Sequence, residues 1–158
     1  MKTVTFVPAY IAEEINQSSH FHNHICNGTG IGISIRHPDE PTLFSLDDGW
    51  FTFVFDDVEL PVAGTKMFDM KMASRIINVV ENHGSEYVVV HCTAGMSRSA
   101  AVARWIAANM NYVLELHPEG VGTDKHYNRH VYRTLNACIG NDLASYYENL
   151  EREERMMK

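Results

Sequence analysis

The chain has 158 residues, 45% of them hydrophobic and 21% charged, with a formal net charge of −7. That length and balance suit one globular domain over residues 1–158 and exclude a disordered or fibrous chain. The acidic total argues against non-specific binding to nucleic acid or an anionic membrane surface, while leaving room for a local phosphate site.

Three cysteines, Cys26, Cys92 and Cys138, are too sparse and odd in number for a disulfide framework. The N-terminal segment turns polar and acidic too early for a secretory signal, and no apolar run reaches the roughly eighteen residues of a membrane span. A cytoplasmic setting with no membrane partner is expected.

In chain order, "TVTFVP" (Thr3 to Pro8) reads as a strand and "AYIAEEI" as the opening of a helix. "NQSSHFHNHICNGTG" is polar and ends in glycines, so a loop turning near Asn27 to Gly30 is expected. Its His20, His22, His24 and Cys26 alternate, and on a strand they would share one face with ligand types that suit zinc. Nothing else marks a strand there, so the expectation is a solvated histidine-rich loop and no metal. "IGISIR" (Ile31 to Arg36) reads as a buried strand that "HPDEP" stops, and "SLDDGW" as a turn in which Asp47 and Asp48 are solvated.

"WFTFVFDD" (Trp50 to Asp57) is aromatic and β-branched, a strong strand signal that runs into acidic residues and Pro61. From Thr65 to Glu81 the residues Met67, Met70, Ile76, Ile77 and Val80 recur at helical spacing, and Gly84 ends the segment. "YVVVHC" is a continuous apolar run of the kind buried parallel strands show. "SRSAAVARWIAANMNYV" reads as a helix, Gly120 and Gly122 mark a loop, and "NRHVYRTLNACI" and "LASYYENLEREERMMK" read as two further helices. The order predicts an α/β domain with a central, mainly parallel sheet flanked by helices.

"VHCTAGMSRSA" (Val90 to Ala100) joins the buried strand to the alanine-rich helix. A turn there lies at the carboxyl end of a strand and at a helix N-terminus, where unpaired N–H groups and the helix dipole favour an anion. Cys92, Thr93, Ala94, Gly95, Met96, Ser97 and Arg98 would wrap a phosphate dianion. Such a site is expected to lower the thiol pKa of Cys92 and make it a nucleophile. The Arg98 fork would grip two phosphoryl oxygens, and Ser99 would donate to the Cys92 sulfur as it leaves. Cysteine nucleophile plus arginine clamp describes covalent phosphoryl transfer. His91, adjacent on the strand, faces the other way and is expected to fix the loop by a backbone hydrogen bond.

"HCTAGMSRS" resembles the signature of cysteine-dependent protein-tyrosine phosphatases: His-Cys, five residues, Arg, then Ser or Thr. The chain is similar to the small dual-specificity-like branch of bacterial or phage type, across most of Thr29 to Leu150. The resemblance implies a protein-tyrosine-phosphatase-like fold with the phosphate loop between strand and helix. It also implies a phosphocysteine intermediate at Cys92, no cofactor or metal, and a phosphorylated protein or peptide as substrate. A general acid is needed as well. Asp57 and Asp56, lying 35 and 36 residues before Cys92, are the candidates. Alignment of the preceding apolar residues favours Asp57, with Asp56 the alternative and Glu59 behind both. The tryptophan-proline-aspartate acid loop and the water-positioning glutamine loop of the larger members are absent from the sequence.

Asn128 is expected to cap the helix that follows it, or to brace the phosphate loop through its backbone. His117, Lys125, His126, Arg129, His130 and Arg133 form a locally basic stretch. A solvated helix face is expected there, with contact to phosphorylated substrate as the alternative. Two other functions share parts of this pattern: an RNA 5'-phosphatase, which would need a basic groove, and a non-catalytic phosphoprotein-binding module. A rhodanese-like sulfur transferase typically has a shorter loop without the His-Cys-five-Arg-Ser spacing.

Overall fold

The apolar runs and the amphipathic segments between them assemble in the order the sequence predicts, with two additions. In the computed structural model, residues 2–39, 49–83, 86–93, 97–118 and 127–140 are described. Among these residues, five strands and five helices follow in the order β1 (Thr3–Pro8), α1 (Ala9–Asn16), α2 (Ser19–Cys26), β2 (Gly30–Arg36), β3 (Trp50–Val54), α3 (Met70–His83), β4 (Tyr87–Cys92), α4 (Ser97–Asn109), β5 (Val113–Leu114) and α5 (Arg129–Cys138). The strands form one sheet in the order β3-β2-β4-β1-β5, and every pairing in it is parallel.

Parallel strands require crossovers, and these cover both faces of the sheet. Strand β4 sits at the centre and alternates between the two faces. Val88, Val90 and Cys92 join the larger core with residues of α3, α4 and α5, while Val89 joins a smaller one with Ile11, Ala12 and Phe21 of α1 and α2. Trp105 of α4 is 1% exposed. Its indole N–H still finds an acceptor, donating to Asn136 Oδ1 at 2.8 Å. Side chains buried this fully stabilise the fold by roughly 1.5–3 kcal/mol each.

The topology fixes where a ligand would sit. The chain leaves β1 through α1 and α2 on one face, and leaves β4 through α4 on the other. Strands β1 and β4 are neighbours, with Pro8 opposite Cys92 at their carboxyl ends. Connections that diverge from adjacent strands open a crevice there.

Four local features depart from the sequence reading. The stretch expected as a polar loop contains helix α2: Ser18 accepts a hydrogen bond from Phe21 N at 3.2 Å as its N-cap, and buried Phe21 anchors it to the sheet. The helical twist removes the shared face that alternating histidines would have on a strand. His20 and His24 instead pack edge to face at 4.7 Å, and both meet the Tyr87 ring. Strand β3 stops at Val54 rather than Asp57. Helix α3 starts at Met70 rather than Thr65, because Asp69 Oδ1 accepts from Met72 N at 2.8 Å and sets the N-terminus. Helix α4 ends at Asn109. Asn111, with φ 65°, turns the chain into β5, which pairs with β1. The predicted terminal helix lies outside the described residues.

Gly32 has a packing reason. A Cβ there would stand 2.2 Å from the ring of Trp50, its neighbour on β3. The bare backbone lets the indole lie flat on the sheet and donate from Nε1 to Asn16 Oδ1 at 2.9 Å. Among the described residues, no helix is long and apolar enough to cross a membrane.

Candidate active site

Cys92 is the last residue of β4 and is fully buried. Its sulfur lies 3.2 Å from Ser99 Oγ in the first turn of α4, so the hydroxyl can donate to a thiolate. Burial pushes the Cys92 thiol up from its ordinary value. Hydrogen bonds from the Ser99 side chain and backbone, and then the Arg98 charge, pull it down by less, and Asp57 adds to the upward push. The net direction corrects the expected lowering: desolvation of a wholly enclosed sulfur outweighs its donors.

Arg98 is 4% exposed, which for a guanidinium demands partners. One terminal nitrogen donates to the carbonyl of Phe55 at 2.7 Å, and the guanidinium carbon lies 6.0 Å from the Phe55 ring centroid. Its buried Nε has no hydrogen-bond partner among the described residues. One edge of the fork is therefore anchored to the segment after β3, while Nε keeps a donor in hand.

The two aspartates after β3 have different surroundings. Asp56 is 8% exposed and fully engaged. Its Oδ2 accepts from Lys66 N at 2.6 Å, and Oδ1 lies 2.8 Å from His37 Nε2. Asp39 N donates to His37 Nδ1 at 3.1 Å, so Nε2 carries the proton given to Asp56. Asp57 is exposed and accepts from Asn128 Nδ2 at Oδ1, 2.8 Å away. Asp57 is close enough to Cys92 to act on its thiol electrostatically. Of the two carboxylates, Asp57 is the one available to solvent and ligand.

Asn128 ties these parts together. Fully buried, it caps α5 by accepting from Val131 N at 3.0 Å. Its side-chain amide donates to Asp57 Oδ1 and, at 3.2 Å, to Val58 O. Its backbone N–H donates to Ser97 O at 3.0 Å. The expected cap is present, and the backbone bond ties Asn128 to the first residue of α4. The bonds to Asp57 and Val58 were not expected, since they join positions about seventy residues apart. Next to it, Arg129 N donates to Glu59 Oε1 at 2.9 Å, a second tie between α5 and the acidic segment.

His91 faces away from Cys92, into contact with Trp50 at 5.5 Å, and its Nε2 lies 2.7 Å from Ser34 Oγ on β2. Arg36 Nε donates to the same hydroxyl at 3.1 Å. Thr93 is half-buried, Ser97 opens α4, and Ala94, Gly95 and Met96 lie outside the described residues. His130, expected on a solvated face, is buried and bonds Phe68 O at 2.7 Å through Nε2, because α5 turns that side toward α3. Lys125 and His126 lie outside the described residues.

No protein-family model, curated protein or solved structure matches this chain.

Proposed function

We propose that the chain is a cysteine-dependent phosphomonoester hydrolase with a protein-tyrosine-phosphatase-like fold, acting on phosphorylated protein or peptide. The observation that carries the reading is the bonding of Asn128. One buried side chain holds Asp57, while its own backbone holds the residue before Arg98. Asp57 comes from the segment after β3, Arg98 from α4 and Asn128 from the start of α5, and the charges of Asp57 and Arg98 both act on the Cys92 thiol.

The chemistry follows from these groups. The phosphoryl oxygens occupy the α4 N-terminus, with Arg98 Nε and its free edge donating to two of them. The Cys92 thiol passes its proton to a phosphoryl oxygen of the bound dianion, its sulfur attacks phosphorus in line, and the bond from phosphorus to the ester oxygen breaks with its electron pair on oxygen. Asp57, entering as the acid, passes its proton to that oxygen. Water then attacks the phosphocysteine, Asp57 takes a proton from it, and the sulfur leaves as thiolate under the Ser99 hydroxyl. Asp56 takes no part, since its two oxygens already serve Lys66 and His37.

The upward push on Cys92 favours a second reading, a phosphoprotein-binding module whose buried thiol holds its proton more tightly than a free one. Hydrolysis of para-nitrophenyl phosphate in EDTA separates the two. Turnover by wild type that disappears in Cys92→Ser supports the hydrolase. Phosphopeptide binding without turnover supports the module, and turnover that survives Cys92→Ser in contaminant-free protein overturns the proposed chemistry.

A further inference from the structure

A cavity of about 200 Å³ is lined by Thr5, Tyr87, Glu115, Leu116, His117 and Pro118. It lies on the face of the sheet turned away from Cys92. Tyr87 and Val89 alternate with Val88, Val90 and Cys92 along β4, and Tyr87 packs against the smaller core under α1 and α2. Thr5 pairs in register with Val89, so it shares that face. The segment after β5 supplies the remaining wall. We propose that this cavity binds a primary ammonium group on a short apolar stem, from a small free amine or a lysine side chain. The site needs nothing from the hydrolase reading.

Thr5 is the residue that points to a ligand. It is 5% exposed, and its hydroxyl oxygen is buried with no hydrogen-bond partner among the described residues. A hydroxyl withdrawn from water without a partner is costly, and a polar group bound in the cavity would supply one.

The other walls set the charge and size of that group. Among the described residues the Glu115 carboxylate is in no ion pair. Burial first, and then the nearby Glu115 charge, push the Tyr87 phenol above its ordinary value and keep it neutral. Two hydroxyls and a carboxylate present lone pairs, and an ammonium carries three N–H donors. A carboxylate or phosphoryl group would instead meet Glu115 with the same sign. Leu116, Pro118 and the Tyr87 ring form the apolar part. That ring is fixed by His20 at 5.4 Å and His24 at 5.1 Å, so this wall is formed before a ligand arrives. The volume is below the roughly 300–1,000 Å³ of pockets for drug-sized ligands, which keeps the stem short.

Titration of the isotope-labelled full chain, followed by backbone amide shifts at matched ionic strength, tests this. The probes are pentylammonium, its neutral match pentanol, pentanoate, and lysine blocked at both its amino and carboxyl ends. Saturable shifts should centre on Thr5, Tyr87, Glu115 and Leu116. Pentylammonium should bind about tenfold tighter than pentanol, the ratio that one hydrogen-bonded charge gives, and pentanoate should bind weakest. The ratio should fall toward one in Glu115→Gln. Thr5→Val removes the hydroxyl at nearly constant shape. It should weaken pentylammonium by about threefold or more, and raise the urea midpoint of the ligand-free protein by deleting an unpartnered group. Whichever amine binds more tightly, the free one or the lysine, names the source. No saturable shift with either amine, a preference over pentanol that survives Glu115→Gln, or an unchanged affinity or lower urea midpoint in Thr5→Val would overturn the proposal.

Discussion

Replacing Asn128 separates the structural from the chemical role of its side chain. Asn128→Ala removes the cap on Val131 N and both amide bonds, to Asp57 and to Val58 O. A lost N-cap costs about 1 kcal/mol. The side chain is fully buried, so losing its two donor bonds adds roughly 1 kcal/mol or slightly more each. The expected loss is about 2–4 kcal/mol by urea denaturation. Asn128→Ser keeps a cap oxygen but has no group to reach Asp57, so about 1 kcal/mol of that loss should return. Activity should not return with it. A misplaced acid hurts most where the leaving oxygen is basic, so both variants should lose about tenfold or more on phenyl phosphate and much less on para-nitrophenyl phosphate. Full phenyl phosphate turnover by a folded Asn128→Ser would refute the reasoning, because Asp57 would then be positioned by something else.

Asp57→Asn should cut phenyl phosphate turnover by roughly 10²–10⁴-fold, whereas Asp56→Asn should act mainly on stability, by about 1–3 kcal/mol in urea denaturation. A larger activity loss in Asp56→Asn would reverse the assignment of the acid. Because burial pushes the Cys92 thiol up, its alkylation by iodoacetamide in ligand-free protein should still accelerate as pH climbs past about 8.5, and a plateau near neutrality would contradict this. The same shift sets a sign for stability. The folded state holds the proton more tightly, so the contribution is complete below the unfolded thiol value of about 8.5 and is lost as pH rises through the folded one. Wild type should therefore lose more stability than Cys92→Ala on going from neutral to alkaline pH, and parallel curves would contradict the shift. Gly32→Ala should destabilise by about 1–3 kcal/mol, since the new methyl must displace the Trp50 ring, and a neutral effect by thermal melt would show that the indole moves aside freely.

Much of the sheet was legible because its strands are buried on both faces and read as apolar runs. "YVVVHC" and "IGISIR" became β4 and β2 with little adjustment. Helix α2 was hidden by composition: five of its eight residues are polar or histidine, and only Ser18 as cap with Phe21 and Ile25 four apart marked it. Strand β5 was hidden by length, since two residues carry no period, and Asn111 was the available sign that α4 had ended. At the candidate site, the short-range parts were readable because Cys92, Arg98 and Ser99 lie within one turn of chain. The preference for Asp57 over Asp56 came from alignment with a family. The physical difference between them, one carboxylate consumed by Lys66 and His37 and the other presented by Asn128, depends on contacts that no local pattern encodes. His37 was missed for the same reason.

The most direct test of a nucleophilic Cys92 is to mix the protein with excess para-nitrophenyl phosphate, quench within milliseconds and map the mass of each peptide. Ser99→Ala, which should slow thiolate departure, is the variant in which the intermediate should accumulate. The account predicts one added phosphoryl group on the peptide containing Cys92, absent from Cys92→Ser. Turnover with no phosphoryl at Cys92, or with the phosphoryl on another residue, would contradict it.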